Sequence, residues 1–344
     1  MTARKATDDE ILAALERHNG NRTEAAAQLG YSLRTFMARL ASIKTKRDID
    51  KPEYSFTPLP LDDVPIEELI AHRKRQFANK RSHEEASKLI PIRIKLAGPI
   101  GLLFFGDPHV DDDGTDIEAL ERHTKLVKET EGLFAVNVGD TTNNWVGRLA
   151  RLYGEQSTSA SQAWRLAEWF VGRCDWLWMI GGNHDLWSGS GDPLRWIAKQ
   201  SDALYKSSEA RIALRFPNGQ EVRINSRHDH AGSSIWNPAH GPMKAAIMGT
   251  RDHIFVAGHK HESAYSVLKD PQSGIAMHAL KVSSYKVYDR FAKERGFRDN
   301  TLSPCAVAVI DPELPTEHPD LVKIFWEPEV AVAYLKVLRE RYKS

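Results

Sequence analysis

Five predicted strands in this chain each end on a residue able to bind a metal ion, and that recurrence limits the fold more than any other feature. Gly101-Leu102-Leu103-Phe104-Phe105 leads into Gly106-Asp107-Pro108-His109, and Phe134-Ala135-Val136-Asn137-Val138 leads into Gly139-Asp140. Trp176-Leu177-Trp178-Met179-Ile180 ends on Gly181-Gly182-Asn183-His184-Asp185. Later, Glu221 to Arg227 ends on His228-Asp229-His230, and Ile254 to Ala257 on Gly258-His259-Lys260-His261. Runs of this length bounded by turn residues predict strands. Between them Asp116 to Glu131, with Leu120, Leu126 and Val127 at apolar positions, and Ser159 to Val171 predict helices. The alternation predicts an α/β fold with a largely parallel sheet and its site at the carboxyl ends of the strands. Asp107 and His109, two apart where the backbone turns, can converge on one ion.

At 344 residues with 41% hydrophobic, the chain can bury a sizeable core and is expected to form two or three domains. No apolar run reaches the length of a membrane span, and Met1-Thr2-Ala3-Arg4-Lys5-Ala6 has no signal-peptide core, so cytoplasmic residence is expected. The only cysteines, Cys174 and Cys305, lack partners at zinc-ligand spacing and read as reduced, packed thiols. Asp111-Asp112-Asp113-Gly114 invites a calcium-loop reading, which fails because Leu120 stands where the bidentate glutamate is needed. The formal net charge of +1 excludes neither a nucleic acid nor a small-molecule partner, since a basic face can hide in a balanced total.

Residues 1–45 predict a small helical domain. Asp8 to His18 carries Ile11, Leu12 and Leu15 on one face; Asn21 is placed to cap a second helix, with Glu24 completing a capping box. Ser32 caps a third, in which Leu33, Phe36, Met37 and Leu40 are spaced to face inward. Arg34, Thr35 and Arg39 are then left outside. Two short helices around a glycine turn are what a helix-turn-helix needs to lay one helix in a major groove. From Arg17 to Arg47 seven Lys/Arg stand against one acid, Glu24. The stretch Asn21-Arg22-Thr23-Glu24-Ala25-Ala26-Ala27-Gln28-Leu29-Gly30-Tyr31-Ser32-Leu33-Arg34-Thr35 resembles the Fis-type helix-turn-helix of bacterial DNA-binding proteins. The resemblance implies DNA contacts from Arg22, Ser32, Arg34, Thr35, Arg39 and Lys44. A three-helix protein-interaction domain is the bland alternative. One such module buries little surface, so its affinity is expected to be modest unless it forms a homodimer or is tethered to a second DNA-contacting part.

Residues 46–97 read as a linker, broken by Pro52, Pro58, Pro60 and Pro65, with a helix opening at Pro65. Its cluster His72-Arg73-Lys74-Arg75 is either a solvated face or a second nucleic-acid contact. Residues 98–344 then form the large domain. Arg211 to Phe216 and Glu221 to Arg227 flank Pro217-Asn218-Gly219-Gln220 and predict a hairpin. Ile275 to Tyr288, Cys305 to Ile310 and Leu321 to Trp326 predict strands of a second sheet. Pro328 opens a terminal helix with Ala331, Leu335, Leu338 and Tyr342 on one face. Lys281, Lys286 and Arg290 read as solvated positions in preference to substrate contacts.

The order Asp-x-His, Gly-Asp, Gly-Asn-His-Asp, His, Gly-His-x-His, spread from Pro99 to Glu327, resembles the calcineurin-like metallophosphoesterase superfamily, in the manner of double-strand-break-repair nucleases. The resemblance implies a four-layer α/β/β/α sandwich and a centre of two divalent metal ions. Asp107, His109 and His261 would hold one ion, Asp140 would bridge, and Asn183, His259 and a histidine of the hairpin end, His228 in preference to His230, would hold the other. His240 would stand behind the ligands. His184 would protonate the leaving oxygen or steady charge on the phosphoryl group, its ring oriented by Asp185 or Asn143; many relatives have Asp or His where Asn143 stands. Nitrogen and oxygen ligands without thiolate suit Mn²⁺, the expected metal, and also Fe or Zn²⁺. A nuclease is the first functional reading, drawing on the DNA-binding domain and on Trp145, Arg148, Arg151 and Trp187 near the motifs. A phosphomonoesterase, protein phosphatase or small phosphodiesterase comes second, and a DNA-binding regulator with a secondary metal domain third. The chain also has a look of phage- or prophage-encoded relatives.

Overall fold

A computed structural model describes residues 5–49, 57, 63–145, 147–187, 191–296, 298–299 and 302–343, without the side chains of 47–49 and 147–148. Met1 to Arg4, Pro52, Pro58, Pro60 and the Arg47 and Arg148 side chains therefore lie outside the description. The chain divides into two compact units, Met1–Arg75 and Gln76–Ser344.

The first unit holds α1 (Asp8–Arg17), α2 (Arg22–Gln28) and α3 (Leu33–Ile49), the last running past the expected boundary at residue 45. Each start is capped by its own sequence. Thr7 and Glu10 form a capping box on α1, the Asn21 side chain accepts from the Thr23 and Glu24 amides, and Ser32 Oγ accepts from the Thr35 amide at 3.1 Å. Ile11, Ala14, Ala25, Ala26, Phe36, Leu40 and Ile43 make the core. Leu33 and Met37, expected inside, are 45% and 36% exposed. The stripe of α3 that fits against the small Ala25-Ala26 surface runs through Phe36, Leu40 and Ile43, and Leu33 and Met37 sit one step around the helix. Helix α4 (Ile66–Ser87) follows Pro65 as the sequence suggests and buries none of its side chains.

The second unit is built on two six-stranded sheets. The first contains β2 (Ile100–Phe105), β3 (Leu133–Asn137), β4 (Trp176–Ile180) and β5 (Leu204–Lys206) in parallel, extended on the other side by β11 (Cys305–Ile310) and β12 (Val322–Phe325), in the order β12-β11-β2-β3-β4-β5. The second has the order β1-β6-β7-β8-β10-β9, from β1 (Ile90–Arg93), the hairpin β6 (Glu209–Arg215) and β7 (Glu221–Arg227), β8 (Ile254–Ala257), β9 (Ala264–Lys269) and β10 (Ala276–Lys281). This sheet begins upstream of the expected domain start at residue 98, because Ile90 to Arg93 pair in parallel with Ile212 to Arg215. The C-terminal strands do not stay together in one second sheet as expected. β10 pairs with β8, whereas β11 runs antiparallel to β2, because its six buried residues Cys305 to Ile310 need both faces covered and the edge of β2 offers that place.

Between the sheets lies a core that includes Leu102, Phe104, Trp178, Ile212, Ile224, Val256 and Leu280. On the far side of the first sheet α5 (Ile117–Glu129), α6 (Ala160–Val171), α7 (Pro193–Gln200) and α10 (Pro328–Lys343) pack over Leu103, Phe105 and Met179. Helix α8 (His240–Met248) covers the second sheet through Ala246 against Phe255 and Met277. The result is α/β/β/α. Each buried Leu, Ile or Phe contributes about 1.5–3 kcal/mol of transfer free energy, which makes this core able to hold polar groups in costly positions at its rim. None of the described helices is long and apolar enough to cross a membrane.

Candidate metal centre

The carboxyl ends of β2, β3 and β4 on one sheet and of β7 and β8 on the other bring the candidate metal ligands together. Two groups form. In the first, Asp107 Oδ2 lies 3.2 Å from His261 Nε2, which lies 3.3 Å from His109 Nε2. In the second, His228 Nε2 lies 3.1 Å from Asp140 Oδ2, 3.0 Å from Asn183 Oδ1 and 3.1 Å from His259 Nδ1. Asp140 reaches toward the first group as well, since its carbonyl accepts from the His109 amide at 3.0 Å.

A divalent cation fits this donor set. A ring nitrogen carries at most one hydrogen, so one N–H at His228 cannot serve three neighbours, and two imidazole nitrogens pointed at each other gain only one bond between them. Ligands about 2.1 Å from one ion sit about 3.0–3.4 Å apart, the spacing these atoms adopt. Neither cysteine contributes: burial pushes the Cys174 and Cys305 thiols up to about 12.

Backbone strain marks the same residues. His109, Asp140, His259 and His261 have φ of 41°, 49°, 66° and 49°, a left-handed conformation that side chains other than glycine rarely adopt. Such strain gathers where a fold must aim a functional group. The glycines beside them supply room. A Cβ at Gly182 would collide with the Asp140 carboxylate, and one at Gly258 with the Asp107 carboxylate.

Electrostatics separate the two groups. Burial holds His109 well below the usual imidazole range. Burial also opposes charge on His228, yet the Asp140 carboxylate and its hydrogen bond prevail and raise that ring to about 10. Asp140 is held correspondingly low by His228 against its own burial.

His184 belongs to neither group. Its ring packs edge-on against His109 at 5.2 Å between centroids, and Nε2 is 3.9 Å from Asp140 Oδ2. Of the two residues expected to orient the ring, Asn143 does so, through its backbone carbonyl and not its side chain. Nδ1 bonds to the backbone carbonyl of Asn143 at 2.6 Å, whereas the Asn143 amide bonds to Asp112. Asp185 does not touch the ring; it accepts from the Thr142 and Gly182 amides and braces the loop, and burial followed by the charge of Asp140 raises its carboxyl to about 7. A backbone acceptor has no residue type, which is why the sequence points to Asn143 through its side-chain amide and not through its carbonyl.

His230 points away, buried against Phe255 with Nε2 unpartnered. His240 opens α8 beside Gly232. Lys281 and Lys286 are not solvated as expected: Lys281 pairs with Glu262 at 2.9 Å, and Lys286 with Asp112 at 2.8 Å and Asp289 at 3.3 Å. They fix the loops that carry His261 and Asn143, a function no local motif announces because Lys286 and Asp112 are far apart in sequence. Arg290 pairs with Glu155 and Glu294. Trp187 packs at a tilt against Trp164 and donates to Thr142 Oγ1, and Arg151 pairs with Glu294, so neither is a ready substrate contact. Trp145 lies beside the Lys286 ammonium.

In the helical unit Arg22, Arg34 and Lys44 are exposed. Thr35 and Ser32 bond to each other. Arg39, expected to face DNA, instead donates to the Ala6 carbonyl and pairs with Asp8 at 3.1 Å, tying α3 to the start of α1.

Residues 8–42 match the family described as bacterial regulatory protein, Fis family. No curated protein matches the chain. Among solved structures, a conserved uncharacterized protein of Streptococcus pneumoniae TIGR4, a predicted phosphoesterase, is similar over 67% of this chain and 99% of its own, at 13% identity and a TM-score of 0.31. Vps29 of Chaetomium thermophilum is similar over 62% of this chain and 79% of its own, at 9% identity and a TM-score of 0.29. At this overlap neither likeness bears on the chemistry of the centre.

Proposed function

We propose that the chain is a phosphodiesterase acting on DNA, with a centre of two divalent cations, Mn²⁺ in first place, and a helix-turn-helix that brings it to its substrate. The observation that carries this reading is the pair of adjacent ligand groups with the His184 ring against one of them. Asp107, His109 and His261 would hold one cation and Asn183, His228 and His259 the other, with Asp140 between. Bound there, the cations would supply Lewis acidity, drawing charge from a phosphoryl group and acidifying water.

The rest falls to the protein. Donation from His184 Nδ1 to the Asn143 carbonyl leaves Nε2 as the nitrogen that exchanges a proton with the leaving oxygen. Asp185 holds the loop so that the His184 amide donates to Asp140 Oδ1 at 2.9 Å. Exposed Arg22, Arg34 and Lys44 would contact DNA, with Ser32 and Thr35 at the helix start.

Mn²⁺-loaded protein is expected to hydrolyse linear or single-stranded DNA, and chelation to abolish the activity. Intact DNA alongside a hydrolysed phosphomonoester would overturn the nuclease reading in favour of a phosphomonoesterase. His184→Ala should lower kcat about 10²–10⁴-fold; full activity in that variant would remove His184 from the mechanism.

A further inference from the structure

Beside the ligand groups, the second unit carries a cavity of about 1020 Å³ walled by the later part of α4, by α7, by β5 and by residues of β6 and β7. Seven lysines and arginines line it against two glutamates, Glu84 and Glu209, in a chain whose net charge is only +1. Five of the cations are paired with carboxylates, among them Lys80 with Glu84 and Arg227 with Glu209. Lys199 and Lys206 have no ion-pair partner among the described residues.

Lys206 is held in place without an acid. Its ammonium donates to His83 Nε2 at 3.0 Å and Ser87 Oγ at 2.9 Å, so two of its three hydrogens tie β5 to α4 and one is left. A cation fixed in this way gives up little further freedom on meeting an anion. The cavity also leads somewhere. A neighbouring cavity of about 440 Å³, lined by Asn183, His228 and His259, shares Ser207, Ser208, Glu209 and Arg227 with it.

We propose that this basic groove holds backbone phosphates of the DNA strand next to the bond being cut, delivering the strand to the Asn183, His228 and His259 side of the centre. The inference rests on the phosphodiesterase reading above. Phosphates repeat along a strand, and a groove with unpaired cations that opens into the candidate centre matches that repeat over more than one unit. A small diester reaches only the centre; a strand reaches both.

The test compares wild type with Lys199→Glu and Lys206→Gln in the full chain, with Lys336→Glu on α10 as control. The probes are a single-stranded oligonucleotide, which offers no duplex major groove to the helix-turn-helix, and bis(p-nitrophenyl) phosphate. Lys199→Glu is expected to raise KM for the oligonucleotide several-fold and to lower the slope of log KM against log salt by about one, with kcat for the small diester unchanged. Lys206→Gln should act in the same direction, and Lys336→Glu should not. Unchanged oligonucleotide KM in both groove variants overturns the groove, as does an equal loss on both probes. If wild type cleaves the small diester but not DNA, the nuclease reading fails by itself. The groove is then judged by salt-dependent inhibition of small-diester turnover by the oligonucleotide: lost in Lys199→Glu it stands, retained it falls.

Discussion

The two units use polarity in opposite ways. Among the described residues the helical unit buries no polar or charged side chain, and its core is seven apolar residues. The sheet unit buries Asp107, His109, Asp140, Asn143, Asp185, His228, Lys281 and Lys286, each in a network of bonds or among the ligand groups. An unsatisfied polar group in an apolar interior costs about 1–3 kcal/mol by mutational measures, and a charge costs more. Only a core as large as the double sheet can carry that load. The small unit keeps its charges outside, where a partner can reach them.

Acid should break this parity most strongly. Burial pushes His123, His253 and His278 down to about 4. Between that value and the ordinary imidazole pKa the unfolded chain binds more protons, so their stabilisation is complete above about pH 6.5 and is lost as pH falls toward 4. At pH 5 the loss is about 1–2 kcal/mol for each of them. All nine tryptophans lie in the sheet unit, so fluorescence melts follow that unit alone. Replacing the three rings by glutamine should make the transition fall less between pH 7.5 and pH 5 than it does in the wild type; an unchanged pH dependence contradicts the assignment of these rings as neutral.

A change of similar size can be aimed at the other unit. Phe36→Ala removes the largest side chain of the helical core and should cost about 3–5 kcal/mol. Salt-dependent duplex binding is expected to disappear, while tryptophan fluorescence and small-diester turnover stay as they were. Loss of turnover would show that the units are not independent. The smallest effect sharpens the contrast of size. Thr7 and Ser159 close equivalent capping boxes on α1 and α6. Replacing either by Ala should cost about 1 kcal/mol, seen as a shift of about 4–8 °C in a unit of the smaller size and about 2–4 °C in the larger one. Equal shifts in calorimetry would argue against separate transitions.

The sequence made the strand-ends legible because each ligand stands at the close of a strand-forming run, usually behind a glycine, so position and chemistry are written within a few residues. The preference for His228 over His230 rested on chain order, and the structure places His228 among Asp140, Asn183 and His259. What stayed hidden depends on pairing over distance. Lys286 with Asp112, Arg39 with Asp8, and β11 against β2 leave no local pattern. The face of α3 is not fixed by periodicity, because Leu33 and Met37 fit two adjacent stripes, and the small side chains of α2 select between them.

The four left-handed residues His109, Asp140, His259 and His261 have one more consequence. At each of them glycine would relieve about 1 kcal/mol or more of backbone strain, yet at Asp140 it would also strip the His184 amide and the His228 ring of a buried acceptor, which costs at least as much. Backbone and side chain thus pull in opposite directions there: the residue that conformation favours is the one the buried bonds resist.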